Sequence, residues 1–297
     1  MATMNLTEAY FRYLQNRQDH SAQAALLAQL ADARYGLEAD LFGQYIEHGL
    51  SVVNLAHGLW AGRRASIGLE LPSTAQVGDL WFDLLEMTAM ILLPAEGPEP
   101  GEVYAPEALA RMSPFHGWMA VRPVANWQYA TFLMLAKIGA RQVQLPSTLR
   151  TLDVARILKG DQTDPVTGLT CAEALLYARW FGKGLCGQEE WQATARLLPR
   201  AVWEALWEPL RREWAGSVQE SVCAVVSREN YDQDWYEIEG DDFDRPPEHR
   251  TLFAEDDPQY GVGFRTRVLS QFGLLRTPGS DPASMLNVEL LEVLQRE

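Results

Sequence analysis

The run from Asp164 to Arg196, DPVTGLTCAEALLYARWFGKGLCGQEEWQATAR, does most to limit what this chain can fold into. It reads as a turn, a helix, a tight connection and a second helix. Thr170 is a good N-cap, and Glu173 three residues later completes a capping box. Ala172, Leu175, Leu176 and Trp180 recur at helical spacing and define the expected buried face. Gly182 sits where a left-handed residue ends a helix. A second helix starts near Gln188, with Trp191, Ala195 and Leu198 on its inner side. One continuous helix through 164–196, or a place for this run in a doubly wound parallel sheet, would contradict the reading.

The order of residues says more than their periodicity. Pro165-Val166, Ala174, Tyr177-Ala178-Arg179-Trp180, Gly182-Lys183, Leu185, Glu190-Trp191 and Ala195-Arg196 follow one another in a fixed sequence. Upstream lies Arg122-Pro123-Val124-Ala125-Asn126-Trp127-Gln128-Tyr129-Ala130-Thr131-Phe132, and downstream Glu213-Trp214 and Gly261-Val262-Gly263-Phe264-Arg265. In these blocks, spread over residues 75–268, the chain resembles the formylglycine-generating enzyme family (sulfatase-modifying-factor domain). That family's central signature runs from Pro-Val through Ala-Arg-Trp and Gly-Lys-Arg-Leu-Pro-Thr-Glu to Glu-Trp-Glu-x-Ala-x-Arg. Cys171 stands where Trp is usual, and Cys186-Gly187 where Pro-Thr is usual. The resemblance implies an α+β fold of the formylglycine-generating-enzyme/C-type-lectin-like type, preceded by an N-terminal helical element. The expected organisation is a helical element over 1–65, the lectin-like domain over 66–276 and a helical tail over 277–297.

Composition fits a packed protein: 47% of the 297 residues are apolar and ten are Trp. The net charge of −15, from 40 acidic and 25 basic residues, opposes nucleic-acid binding, which rests on Lys and Arg neutralising phosphates. It opposes anionic membrane surfaces for the same reason. No run approaches the roughly 20 apolar residues of a membrane span. The first twenty residues lack the basic and apolar regions of a signal peptide, so the cytoplasm is the expected compartment. Three cysteines do not make a disulfide framework.

Taken in order, residues 5–62 read as helices. Asn5 or Thr7 caps the first, Ala22–Ala33 forms a second, and Leu37–Trp60 supplies one or two more. His48 and His57 are nine apart, not the i, i+4 spacing that sets two metal ligands side by side. Gly58 and Ala61-Gly62-Arg63-Arg64 mark a boundary. Val77–Pro94 is strand-forming, and Asp83 and Glu86 within it read as solvent-facing or hydrogen-bonded residues of strand and turn. Asn126–Ile138 is a helix, Gly160–Pro165 a turn and Ser217–Val226 a strand. The tail carries Ser280-Asp281-Pro282 as a helix start, with Leu286, Leu290, Val293 and Leu294 as an apolar stripe.

Function has to be argued from sites and not from folds. In formylglycine-generating enzymes, the resemblance implies, two cysteines shortly before the closing Gly-Phe-Arg bind copper, for which thiolates are suited. This chain has no cysteine after Cys223. A sister branch, the iron-dependent sulfoxide synthases, uses three histidines in His-x-x-x-Glu and His-Glu motifs that are absent here. A third branch, the ligand-binding variable proteins of diversity-generating retroelements, displays aromatic and polar side chains on C-terminal loops. The acidic stretch Tyr231–Asp257 suits that use, and Tyr231, Trp235, Tyr236, Phe243, Arg245 and Phe253 are its candidate partner-binding residues. Asp241, Asp242 and Asp244 are candidate ligands for a calcium-type ion, because a hard cation wants about six to eight oxygens and only this stretch is dense enough in them. No resident cofactor is otherwise expected. The sequence therefore favours a non-catalytic binding or scaffolding protein whose protein partner docks on the acidic loop or the C-terminal tail. The alternative is a metal-dependent oxidase with a divergent site recruiting His116, His249 and Asp244.

Overall fold

The computed structural model describes residues 4–33, 35–55, 63–94, 114–139, 157, 161–169, 171–186, 212–216, 222–227, 253–254 and 262–269. These residues fall into two compact units, one of residues up to Gly49 with those of 125–166, the other of residues 50–124 with those from 167 onward.

The first unit is helical. It contains α1 (Leu6–Gln15), α2 (His20–Asp32), α3 (Gly36–His48) and α4 (Asn126–Gly139). Asn5 caps α1 by accepting the Glu8 N–H at 2.9 Å, and Asp19 caps α2 by accepting the Ser21 N–H at 2.8 Å. Helix α1 packs against α2 and α4, and α2 against α3. The core is aromatic: the Trp127 ring meets Tyr10 edge-on at 4.9 Å and Tyr35 at 5.5 Å. The start of α4 is satisfied by the turn at 161–164. The Asn126 and Trp127 N–H groups donate to the carbonyls of Asp164 and Gln162, while the Gln128 side chain accepts the Ala125 N–H at 2.9 Å. The turn is fixed by Asp161, whose carboxylate accepts from the Thr163 N–H and hydroxyl at 2.9 and 2.7 Å.

One sequence expectation fails here. The helical reading of 37–60 holds only to His48. Gly49, at φ 59°, ends α3 in the left-handed conformation, and the β-branched pair Val52-Val53 then enters a strand. Arg63 and Arg64 are likewise strand residues.

The second unit is built on two sheets. The larger has seven strands in the order β1-β2-β3-β4-β5-β11-β6. These are β1 (Val52–Leu55), β2 (Arg63–Gly68), β3 (Leu80–Asp83), β4 (Thr88–Pro94), β5 (Pro114–Ala120), β11 (Thr266–Leu269) and β6 (Gly184–Leu185). All neighbours are antiparallel except β2 and β3. The smaller has four strands, β10-β7-β8-β9, comprising β10 (Val262–Phe264), β7 (Arg212–Gly216), β8 (Val222–Ser227) and β9 (Phe253–Ala254). Strand β8 overlaps the expected Ser217–Val226 strand over its described residues, and Glu213-Trp214 lies in β7. Arg265 is the single residue between β10 and β11, so the Gly-Phe-Arg block carries the chain from one sheet to the other. Strands β3 and β4 are buried on both faces, and Trp81, Met90, Leu92, Trp118, Ala120 and Val268 form one core layer.

Helix α5 (Cys171–Trp180) belongs to this unit. Ala174, Tyr177 and Ala178 are buried with Phe181, whereas Leu176 and Trp180 are only partly covered. Tyr177, which the expected face did not include, is on the inner side: it packs on Phe181 at 4.9 Å and on Phe264 at 5.4 Å. Gly182 has φ 68°, as expected, and the Lys183 N–H reaches back to the Ala178 carbonyl at 2.8 Å. Thr170 and the second helix expected after Gln188 lie outside the described residues, as does the C-terminal tail.

Candidate functional site

The densest polar chemistry among the described residues sits inside the sheet unit. Residues Leu84–Met87 turn the chain from β3 to β4, with Met87 at φ 54°. This is an uncommon conformation for a residue with a side chain. The turn sets Asp83 and Glu86 toward the face that carries Trp81, Met90 and Val268. On the other side, the left-handed Gly182 aims Lys183 into the same space, and β11 contributes Thr266. The Lys183 ammonium lies 2.8 Å from Asp83 Oδ2 and donates to Glu86 Oε2. Its Nζ is also 3.3 Å from the Met90 sulfur and 5.7 Å from the Trp81 ring centroid. Thr266 Oγ1 donates to Glu86 Oε2 at 2.8 Å, and Asp83 Oδ1 accepts the Leu85 N–H at 2.9 Å.

The side chains of Lys183, Asp83 and Glu86 are 0%, 0% and 1% exposed, so the cluster is closed to solvent. The solvent-facing reading of Asp83 and Glu86 is therefore corrected; their hydrogen-bonded role stands. Their third partner is Lys183, 97 residues from Glu86 along the chain. The nearby signal was the Gly-Lys pair itself, since a lysine fixed by a left-handed glycine within an apolar run needs a carboxylate if it is to be buried.

Beside the cluster, the buried Cys186 thiol donates to the Thr266 carbonyl at 3.5 Å. Arg265, fully buried, donates to the Val121 carbonyl. At the start of β2, Arg64 pairs with Asp79 at 2.6 Å, and Arg63 donates to the Gly78 carbonyl at 2.8 Å. Burial holds the Arg63 guanidinium below its usual value, against the upward pull of Asp79.

An α+β unit of mostly antiparallel sheets, entered through capped N-terminal helices and closed by a Gly-Phe-Arg crossing, defines the class. The chain belongs to the formylglycine-generating enzyme (sulfatase-modifying factor) family: the family model described as "Sulfatase-modifying factor enzyme 1-like domain" matches residues 84–239. The match takes in Glu86, α4, α5 and Lys183 and stops short of Arg265 and Thr266. A search of the curated proteins gave no match.

Of the candidate partner-binding and calcium-binding residues, only Phe253 has a described backbone; it lies in β9, opposite Cys223 of β8. Tyr231, Trp235, Tyr236, Phe243 and Arg245, and the calcium candidates Asp241, Asp242 and Asp244, lie outside the described residues. His249 lies outside them too, while His116 is in β5. His48 is exposed beside Glu47, and His20 is paired with Gln23. The donors present do not fit the family's copper centre. Cys186 is committed to a backbone carbonyl, and no cysteine follows Cys223. Among the described residues no three His, Cys, Asp or Glu side chains come together as a metal site. No helix among them is long and apolar enough to cross a membrane.

Proposed function

We propose that this family member is a binding or scaffolding protein without the family's oxidase chemistry. The observation that carries the proposal is the cysteine-free stretch between Cys223 and the closing Gly-Phe-Arg. Without thiolates there, the soft-ligand site for Cu(I) has no donors in its place. The buried cluster of Lys183, Asp83 and Glu86 supports the same reading, because ions held at 0–1% exposure face one another and not a substrate. In this proposal the partner surface is the acidic stretch bearing Tyr231, Trp235, Tyr236, Phe243, Arg245 and Phe253, with a basic protein surface as its complement. Asp241, Asp242 and Asp244 are the candidate ligands there for a calcium-type ion, which the binding role does not require. The C-terminal tail is a second docking element.

Metal analysis of protein purified without an affinity tag, together with oxygen-uptake assays on cysteine peptides and small thiols, tests the reading. Metal-free protein, or protein containing calcium alone, with no substrate-dependent oxygen uptake is the expected result. Stoichiometric copper or iron with such uptake would overturn it and favour the divergent oxidase.

A further inference from the structure

We propose that Lys183 and Asp83 become joined by an intramolecular amide bond, formed within the folded protein, with Glu86 carrying the protons. The observation is the arrangement of three side chains and one backbone amide, buried from solvent. Lys183 Nζ stands 2.8 Å from Asp83 Oδ2, so the nitrogen is already against the carboxyl group it would attack. Holding two reacting groups at contact converts a bimolecular condensation into an intramolecular one, with effective molarities of up to about 10⁵–10⁸ M in well-oriented cases. The other oxygen, Asp83 Oδ1, accepts the Leu85 N–H at 2.9 Å. That donor withdraws electron density from Cγ and remains in place for the negative charge that develops on Oδ1 during attack. Glu86 touches Nζ through Oε2 and is itself held by the Thr266 hydroxyl at 2.8 Å, which sets a proton acceptor directly on the attacking nitrogen.

The step balances without any other reagent. The ammonium gives one proton, by way of Glu86, to Asp83 Oδ2. The resulting neutral amine forms the Nζ–Cγ bond. A second proton passes from the nitrogen through Glu86 to the same oxygen, the Cγ–Oδ2 bond breaks, and water leaves. One carboxylate and one ammonium become one neutral amide, and Glu86 ends as it began. The setting favours the product. Side chains at 0–1% exposure, walled by Trp81 and Met90, carry the full desolvation cost of an ion pair, and an amide does not. The bond ties the β3–β4 turn to the residues that follow α5. It is independent of whether the protein binds a partner or oxidises a substrate.

Intact-mass measurement of the denatured full-length chain tests this directly. The wild type is expected to be lighter than its sequence by one water. A protease digest should contain a branched peptide joining the Asp83 and Lys183 segments, with no tryptic cleavage after Lys183. Lys183→Arg and Glu86→Gln are expected to show the full sequence mass. A wild type at full mass, or a deficit that persists in Lys183→Arg, overturns the bond. A deficit that persists in Glu86→Gln overturns the assigned proton carrier. The wild-type mass and the branched peptide need no variant to fold.

Discussion

Polar groups buried together, as Lys183, Asp83 and Glu86 are, hold only while each donor and acceptor has a partner, because the low dielectric that strengthens the pairing also raises the cost of a gap. Thr266 is the member whose removal is cleanest. Its hydroxyl donates to Glu86 at 2.8 Å, it is fully buried, and Val has nearly its shape. Thr266→Val should destabilise the protein by about 1–3 kcal/mol, the range for leaving a buried acceptor without its donor. Urea unfolding measures this, and Thr266→Ser, which keeps the hydroxyl, should retain the hydrogen-bond share. An unchanged unfolding midpoint in Thr266→Val would mean that Glu86 does not depend on this contact. The cluster was half legible in the sequence. Asp83 and Glu86 stood out as charges among apolar residues, and Lys183 stood out as half of a Gly-Lys pair. Nothing local joined them, since their meeting depends on β3, β4, β6 and β11 taking their places in one sheet.

Gly182 shows where local chemistry does suffice. The end of α5 needs a residue at φ 68° so that the Lys183 N–H can reach the Ala178 carbonyl, and glycine takes that conformation at least cost. Among the described residues nothing lies within 4 Å of where a Cβ would stand, so Gly182→Ala tests backbone conformation alone. The expected loss is about 1–2 kcal/mol, read from thermal or urea unfolding, with Gly182→Asn losing less. Equal stability for Ala and Gly would remove the left-handed cap. Other elements were less legible. The buried side of α5 was placed by counting apolar residues, but the helix is apolar on more than one side. The tilted contact of Tyr177 with Phe181 and its edge contact with Phe264 set Tyr177 inward. In the same way, residues 49–55 looked helical by composition, and the left-handed Gly49 followed by Val52-Val53 overrides that preference.

The division of the whole chain is less sequential than its composition suggests. The family match begins at residue 84, yet α4, inside that match, is covered by α1 and by Tyr35, the residue before α3, both outside it. Trp127 is fully buried against Tyr10 and Tyr35, and the Thr131 hydroxyl is 3.3 Å from the Thr7 carbonyl. Loss of the partners of one such aromatic costs on the order of 3–5 kcal/mol when its contacts are not replaced. A variant lacking residues 1–49 would lose them all at once and leave Trp127 and its neighbours uncovered. That variant is expected to bind a hydrophobic dye and to aggregate at concentrations where the full chain stays dispersed. Tyr10→Ala should lower the unfolding midpoint in the same direction by a smaller amount. Light scattering and dye fluorescence measure the first, and thermal unfolding the second. A variant lacking 1–49 that stays monodisperse, dye-negative and as stable as the full chain would mean that the family-matched region is self-sufficient and that the N-terminal helices cover nothing it needs.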